Sequence, residues 1–188
     1  MSSSYDQKIE QMNQIEVSNT CEMVELWLQY DLYTPRWWAG VALTVLPWII
    51  WFLLRSKTST YRLLLVGFFV IIITCSFDFV GANFGLWYYK HKVIPFFPTY
   101  LPWDTSLFPV IIMLLIQYKP LVHPLLKAIV FSGMSSFVGE PLMAWLDYYV
   151  MANWEYFYSF PIYVLIYMTA HWLSQRTQFA PLPRTSKS

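Results

Sequence analysis

Asp78, Asp104 and Glu140 are the residues of this 188-residue chain whose type and placement point to chemistry. Asp78 closes the apolar block that starts at Leu63, Asp104 directly precedes the block that starts at Thr105, and Glu140 lies inside the block from Leu121 to Leu146. An ionisable side chain at bilayer depth costs about 2.5–3.5 kcal/mol on insertion scales, so it faces a protein interior or a watered cavity. There a carboxyl group accepts from a cation or polar headgroup, or, holding its proton, serves an apolar substrate as general acid. The three acids are therefore the candidate catalytic groups.

Around each acid the neighbours sharpen or blunt that reading. Ser132, Ser136 and Glu140 recur every four residues, with Asp147 a heptad further on, giving one polar stripe if the segment is helical. Pro141 brings no N–H to the carbonyl of Phe137, which leaves an acceptor beside the Glu140 carboxyl. Asp78 has Thr74 one turn before it, and Gly81 and Gly85 after it allow close approach or a turn. Asp104, between Pro102-Trp103 and Thr105-Ser106, reads as a helix N-cap that also faces a site. Tyr163, Tyr167 and His171 repeat every four residues, and with Glu140 above them they suggest a proton path. The competing reading is structural throughout: the same groups form a hydrogen-bond network that pins helices together.

The elements that must position these groups follow from composition. Apolar residues make up 57% of the chain, aromatics 20% and charged residues only 12%, and the apolar residues come in blocks. There is too little polar chain to wrap several all-apolar helices in a soluble domain. A bilayer core of ~30 Å calls for about 20 apolar residues per helix. The expected fold is therefore an all-α integral membrane bundle of five spans: Trp37–Leu54, Leu63–Val80, Thr105–Tyr118 (short), Leu121–Leu146 and Phe157–Leu173. Residues 1–35 form a polar acidic arm, helically patterned by Ile9, Met12, Ile15, Met23, Leu26, Trp27 and Tyr30, and 176–188 form a short tail.

Basic residues orient this bundle. Arg55, Lys57, Arg62, Lys119, Lys127, Arg176, Arg184 and Lys187 fall on one side, against Lys8, Arg36, Lys90 and Lys92 on the other. The positive-inside rule puts the N-terminus outside and the C-terminus in the cytoplasm. At 1.5 Å per residue Asp78 then lies roughly 24 Å above Arg62, and Glu140 roughly 20 Å above Lys127. The three acids are thus expected at similar depth in the outer half. Trp37, Trp38, Trp87, Tyr88, Tyr89, Trp103, Trp154, Tyr156 and Tyr158 read mainly as an interfacial belt.

Several classes are excluded. A formal net charge of +1 gives no footing for nucleic acid. Cys21 and Cys75 sit in unlike surroundings, and no Cys/His spacing for a metal, phosphate loop, nucleophile–base pair or cofactor motif is present. No short apolar core with a small-residue cleavage site marks a signal peptide.

The succession of Asp78, Gly81, Gly85, Trp87-Tyr88, IPFFP at 94–98, LPWD at 101–104 and Glu140-Pro141 resembles a family of small multi-pass membrane proteins of endospore-forming bacteria. The resemblance runs from Trp37 to Trp172. It implies a bacterial cytoplasmic or spore inner membrane and carries no assigned activity. Trp87-Tyr88 and Leu101-Pro102-Trp103-Asp104 are also similar, more loosely, to motifs of membrane-embedded lycopene cyclases. Those carry paired acids where this chain has Trp103 before a single Asp104, which weakens an inference of acid-catalysed isoprenoid cyclisation. The leading expectation is an outward-opening cavity that binds a membrane lipid, another lipophilic molecule or a cation. Asp78, Trp87, Asp104, Ser136, Glu140, Tyr163 and Tyr167 are its expected lining. An intramembrane acid catalyst and a non-catalytic scaffold are the alternatives.

Overall fold

The computed structural model describes residues 4–176, so most of the tail expected at 176–188 lies outside the described residues. The described chain is mostly helical, with two three-residue strands. Helix α1 (Ser4–Tyr30) is followed by α2 (Pro35–Leu54) and, after a short 3-10 turn, by α3 (Thr60–Asn83). A π-helical stretch, Pro102–Leu107, runs directly into α4 (Phe108–Gln117). The next rod joins α5 (Pro124–Met134), π-helical Ser135–Gly139 and α6 (Glu140–Trp145). Helix α7 (Tyr156–Ser174) is the last described element. Strands β1 (Trp87–Tyr89) and β2 (Tyr149–Met151) pair antiparallel, with Trp87 opposite Met151 and Tyr89 opposite Tyr149.

Prolines explain the irregular turns. Proline supplies no N–H, and its ring crowds the carbonyl four residues back. Before Pro109 and at Pro141 the helix widens by one residue: Phe108 N donates to Trp103 O, and Glu140 N to Ser135 O. Side chains serve the carbonyls of the first widened turn, Thr74 Oγ1 donating to Asp104 O at 3.1 Å and Trp48 Nε1 to Thr105 O at 2.9 Å.

Five rods form the bundle, and α4 is central. None of its large apolar side chains is exposed, and Val66, Val70, Phe108, Ile112, Phe131 and Ile166 meet around it in one core. Taken together the rods are inverted relative to a soluble bundle. Phe52, Phe68, Ile72, Val130, Leu142 and Leu165 are exposed, while Thr74, Asp78, Asp104, Ser106, Ser132, Ser136, Glu140 and Ser159 are buried. Two rods, Pro35–Leu54 and Lys57–Asn83, are long and apolar enough to cross a membrane by length and composition. The expectation of five such spans is therefore corrected to five rods, two of which meet that measure. Pro102–Gln117 is too short, and the last two rods are diluted by Lys127, three serines and Glu140, and by four tyrosines and His171.

The acidic arm is the helix α1, and none of its residues is buried. Its end is held to the loop after β1. Trp27 Nε1 donates to Lys92 O at 2.8 Å, and buried Asp31 meets His91 Nδ1 at 2.7 Å. Arg36 donates to His91 Nε2 at 3.0 Å, and a guanidinium has only donors, so Nδ1 carries the hydrogen given to Asp31.

Candidate functional site

Asp78 sits in the last turns of α3, where the chain leaves the bundle for the hairpin. Gly81, one turn on, has no side chain because the Trp87 ring occupies that space: a Cβ there would lie 2.1 Å from it. The turn closes at Gly85 with φ +67°, a left-handed conformation that glycine adopts freely. The strand β1 then runs back over α3, and its alternation puts Trp87 and Tyr89 on one face. Trp87 Nε1 and Tyr89 Oη both donate to Asp78 Oδ1 at 2.6 Å.

Asp104 joins from the widened turn before α4. The backbone N–H of Tyr100 donates to Asp78 Oδ2 at 2.9 Å and to Asp104 Oδ2 at 3.1 Å. The N-cap role expected for Asp104 is thus corrected. Its carboxyl reaches back to residue 100 rather than forward to the first helical N–H groups, because Leu101 already has helical backbone angles. Tyr89 and Tyr100 stack with ring centroids 4.7 Å apart, which fixes the donors over the two acids.

Glu140 faces the same space from the rod opposite. Tyr163 Oη donates to Glu140 Oε1 at 2.6 Å, and Ser159 lies beside the same carboxyl, its hydroxyl accepting from Trp154 Nε1 at 3.0 Å. Oε2 is buried and, beyond the Ser159 hydroxyl beside the carboxyl, has no hydrogen-bond partner among the described residues. Trp154 in turn meets Trp87 edge to face at 5.2 Å. Asp78, Asp104 and Glu140 thereby line one cavity of about 290 Å³, walled by aromatic and aliphatic side chains including Trp87, Trp103, Tyr149 and Tyr163. Among the described residues no lysine, arginine or histidine lines it.

Of the seven residues expected to line the site, five do: Asp78, Trp87, Asp104, Glu140 and Tyr163. Ser136 and Tyr167 do not; both are fully buried elsewhere, and their hydroxyls have no hydrogen-bond partner among the described residues. Tyr167 stacks on His171 at 6.5 Å, but no hydrogen bond links it to Tyr163, so the expected path is not continuous. Trp103 and Trp154, grouped only with the interfacial belt, wall the cavity beside Trp87. Among the described residues no group of three or more His, Cys, Asp or Glu is placed to hold a metal ion.

No protein-family model, curated protein or solved structure matches this chain. Its site stands on its own geometry.

Sequence reading missed Tyr89, Tyr100, Trp154 and Ser159. Tyr89 had a signal: at i+2 from Trp87 it shares a face with it in a strand. Burial, and then the Asp78 charge, push the Tyr89 phenol well above its usual range, so it stays a donor. Tyr149, opposite it, is raised by burial first, then by Glu140 and Asp78.

Proposed function

We propose that the chain is a five-helix integral protein of a bacterial cytoplasmic membrane whose internal cavity binds a lipophilic molecule bearing a cationic, hydrogen-bond-donating head such as an amine. The single observation that carries this is an aromatic cavity lined, among the described residues, by three carboxyl groups and no basic side chain, with Glu140 Oε2 buried. An ammonium brings donors and a positive charge to those acceptors, and aromatic faces attract cations through their quadrupole. The membrane setting is supported by the inverted rods, apolar outside and polar within. The basic residues would put the N-terminus outside.

The test is a titration of the full chain in neutral detergent, read by quenching of Trp87, Trp103 and Trp154. A primary alkylamine should bind at least tenfold more tightly than the alkanol of the same chain length. Equal affinities would overturn the reading.

A second reading is favoured by the Asp78–Asp104 pair. Two carboxyl groups sharing one donor form a dyad able to hold a single proton, as paired acids do elsewhere. Transfer of that proton to the double bond of a polyene would leave a carbocation facing aromatic rings. Loss of a different proton to Glu140 would complete a redox-neutral isomerisation or cyclisation. Incubation with a polyene and a search for an isomer of unchanged mass tests it; recovery of unaltered polyene leaves binding alone.

A further inference from the structure

A second concavity, of about 790 Å³, lies between α4 and α5. Its wall is apolar along Ile111, Leu115, Leu126, Val130 and Met134, the last three more than half exposed. One end carries Lys119 and Lys127; the other ends on Trp103 and Gly139, which also bound the carboxylate cavity. A Cβ at Gly139 would lie 3.4 Å from the Trp103 ring, so the two close that end by contact.

The charge at the lysine end is uncompensated. No acidic residue lines the groove, and neither lysine has a carboxylate partner among the described residues. Lys127 Nζ donates to Leu115 O at 2.7 Å and to Tyr118 O at 2.6 Å, which fixes the ammonium at the end of α4 and leaves one N–H free. Lys119 is exposed beside it, at a left-handed φ of 47°. Leu121, at the tip of the same loop, is 99% exposed. From Lys127 to Gly139 the rod rises roughly 18 Å at 1.5 Å per residue. One leaflet of a ~30 Å hydrocarbon core is about 15 Å.

We propose that this groove seats one anionic phospholipid, its phosphate against Lys119 and Lys127 and one acyl chain running along α5 to the Trp103–Gly139 contact. The proposal rests on the membrane reading above but not on the identity of the cavity ligand. Length selects a single leaflet, and paired unneutralised ammonium groups select a net negative headgroup over a zwitterionic one. On the orientation from basic residues this is the cytoplasmic leaflet, where anionic lipids are concentrated.

The experiment measures the unfolding temperature of the full chain in neutral detergent with phosphatidylglycerol, with phosphatidylcholine of the same acyl chains, and with glycerol phosphate. Near saturation phosphatidylglycerol should raise Tm by about 5 °C, while the other two leave it within about 1 °C. Lys119→Gly removes an ammonium while suiting the left-handed backbone, so it should fold and at least halve the shift. Lys119→Gly with Lys127→Gln should abolish it. An equal rise with phosphatidylcholine means general solvation by lipid, and an equal rise with glycerol phosphate means a soluble-anion site; either overturns the proposal. So does no rise, or a rise unchanged in Lys119→Gly. Asp78→Asn, which alters the cavity, should keep the lipid shift. A chain that does not fractionate with membranes sinks both readings, whereas a membrane-embedded chain without the shift sinks only this one.

Discussion

Asp78 and Asp104 accept from one and the same backbone N–H, that of Tyr100, at 2.9 and 3.1 Å. That single donor ties the end of α3 to the turn before α4, and Trp87 and Tyr89 add two more donors on Asp78 alone. The acids are therefore unequal. Asp78 organises the hairpin, the loop and the cavity wall, whereas Asp104 completes the pair.

That inequality predicts the order of two substitutions. Asp78→Asn sets an amide NH2 either against the Tyr100 N–H or, flipped, against the Trp87 and Tyr89 donors, a mismatch of buried donors worth about 1–3 kcal/mol. Asp104→Asn retains an oxygen for its one backbone donor and should destabilise less. Unfolding of both variants in detergent checks this; equal losses, or a larger loss at Asp104, would contradict it.

Gly81→Ala should act on the site through sterics alone. A Cβ 2.1 Å from the Trp87 ring cannot coexist with it, so the indole must leave and its bond to Asp78 must break. The expected outcome is a red-shifted tryptophan emission and at least tenfold weaker amine binding. Gly139→Ala, whose Cβ would meet Trp103 at 3.4 Å, an ordinary contact, should change neither.

Five helical rods and the three acids on one cavity were legible because apolar blocks and the cost of a buried carboxyl are written locally. The partners were not. Tyr89 reaches Asp78 only because β1 pairs with β2, and nothing near Trp87 announces Met151 as its neighbour. The serine stripe misled for a physical reason. The π-helical turn Ser135–Gly139 adds a residue, turning Glu140 by about 100° relative to a regular helix. Glu140 then lines the cavity, while Ser136 is buried without lining it.

Glu140 and Tyr163 form the cavity's other polar contact, at 2.6 Å. Glu140→Gln keeps an acceptor for the phenol and should leave stability within about 1 kcal/mol, whereas Glu140→Ala strands the buried phenol at about 1–3 kcal/mol. Both should weaken amine binding. If both fold normally and bind like the native chain, Glu140 is only a polar contact.

A pH dependence is expected at the hairpin end, where Lys90 donates to Asp147 at 2.5 Å. That hydrogen bond holds the Asp147 carboxyl below its usual range and the Lys90 ammonium above its own. The carboxyl's contribution is present above its unfolded value of about 3.9 and is lost as pH falls through the lower folded value. The ammonium's is present below about 10.4 and is lost as pH rises through the raised one. Protection of the Lys90 amide, which donates to Tyr148 O, should exceed that in Asp147→Asn at pH 7, and the excess should shrink as pH falls below about 3.9. Equal protection at pH 7 would show the pair to be inert.

The central claim is that the carboxylate cavity is a ligand site. Its most direct test is a structure of the full chain soaked with an alkylamine brominated at its far end, read by the anomalous signal of bromine. The account predicts a single strong peak inside the cavity, among Trp87, Trp103 and Trp154, with the amine density on Glu140 and the Asp78–Asp104 pair. Bromine found only on the outer apolar faces, with the cavity unchanged, would contradict it.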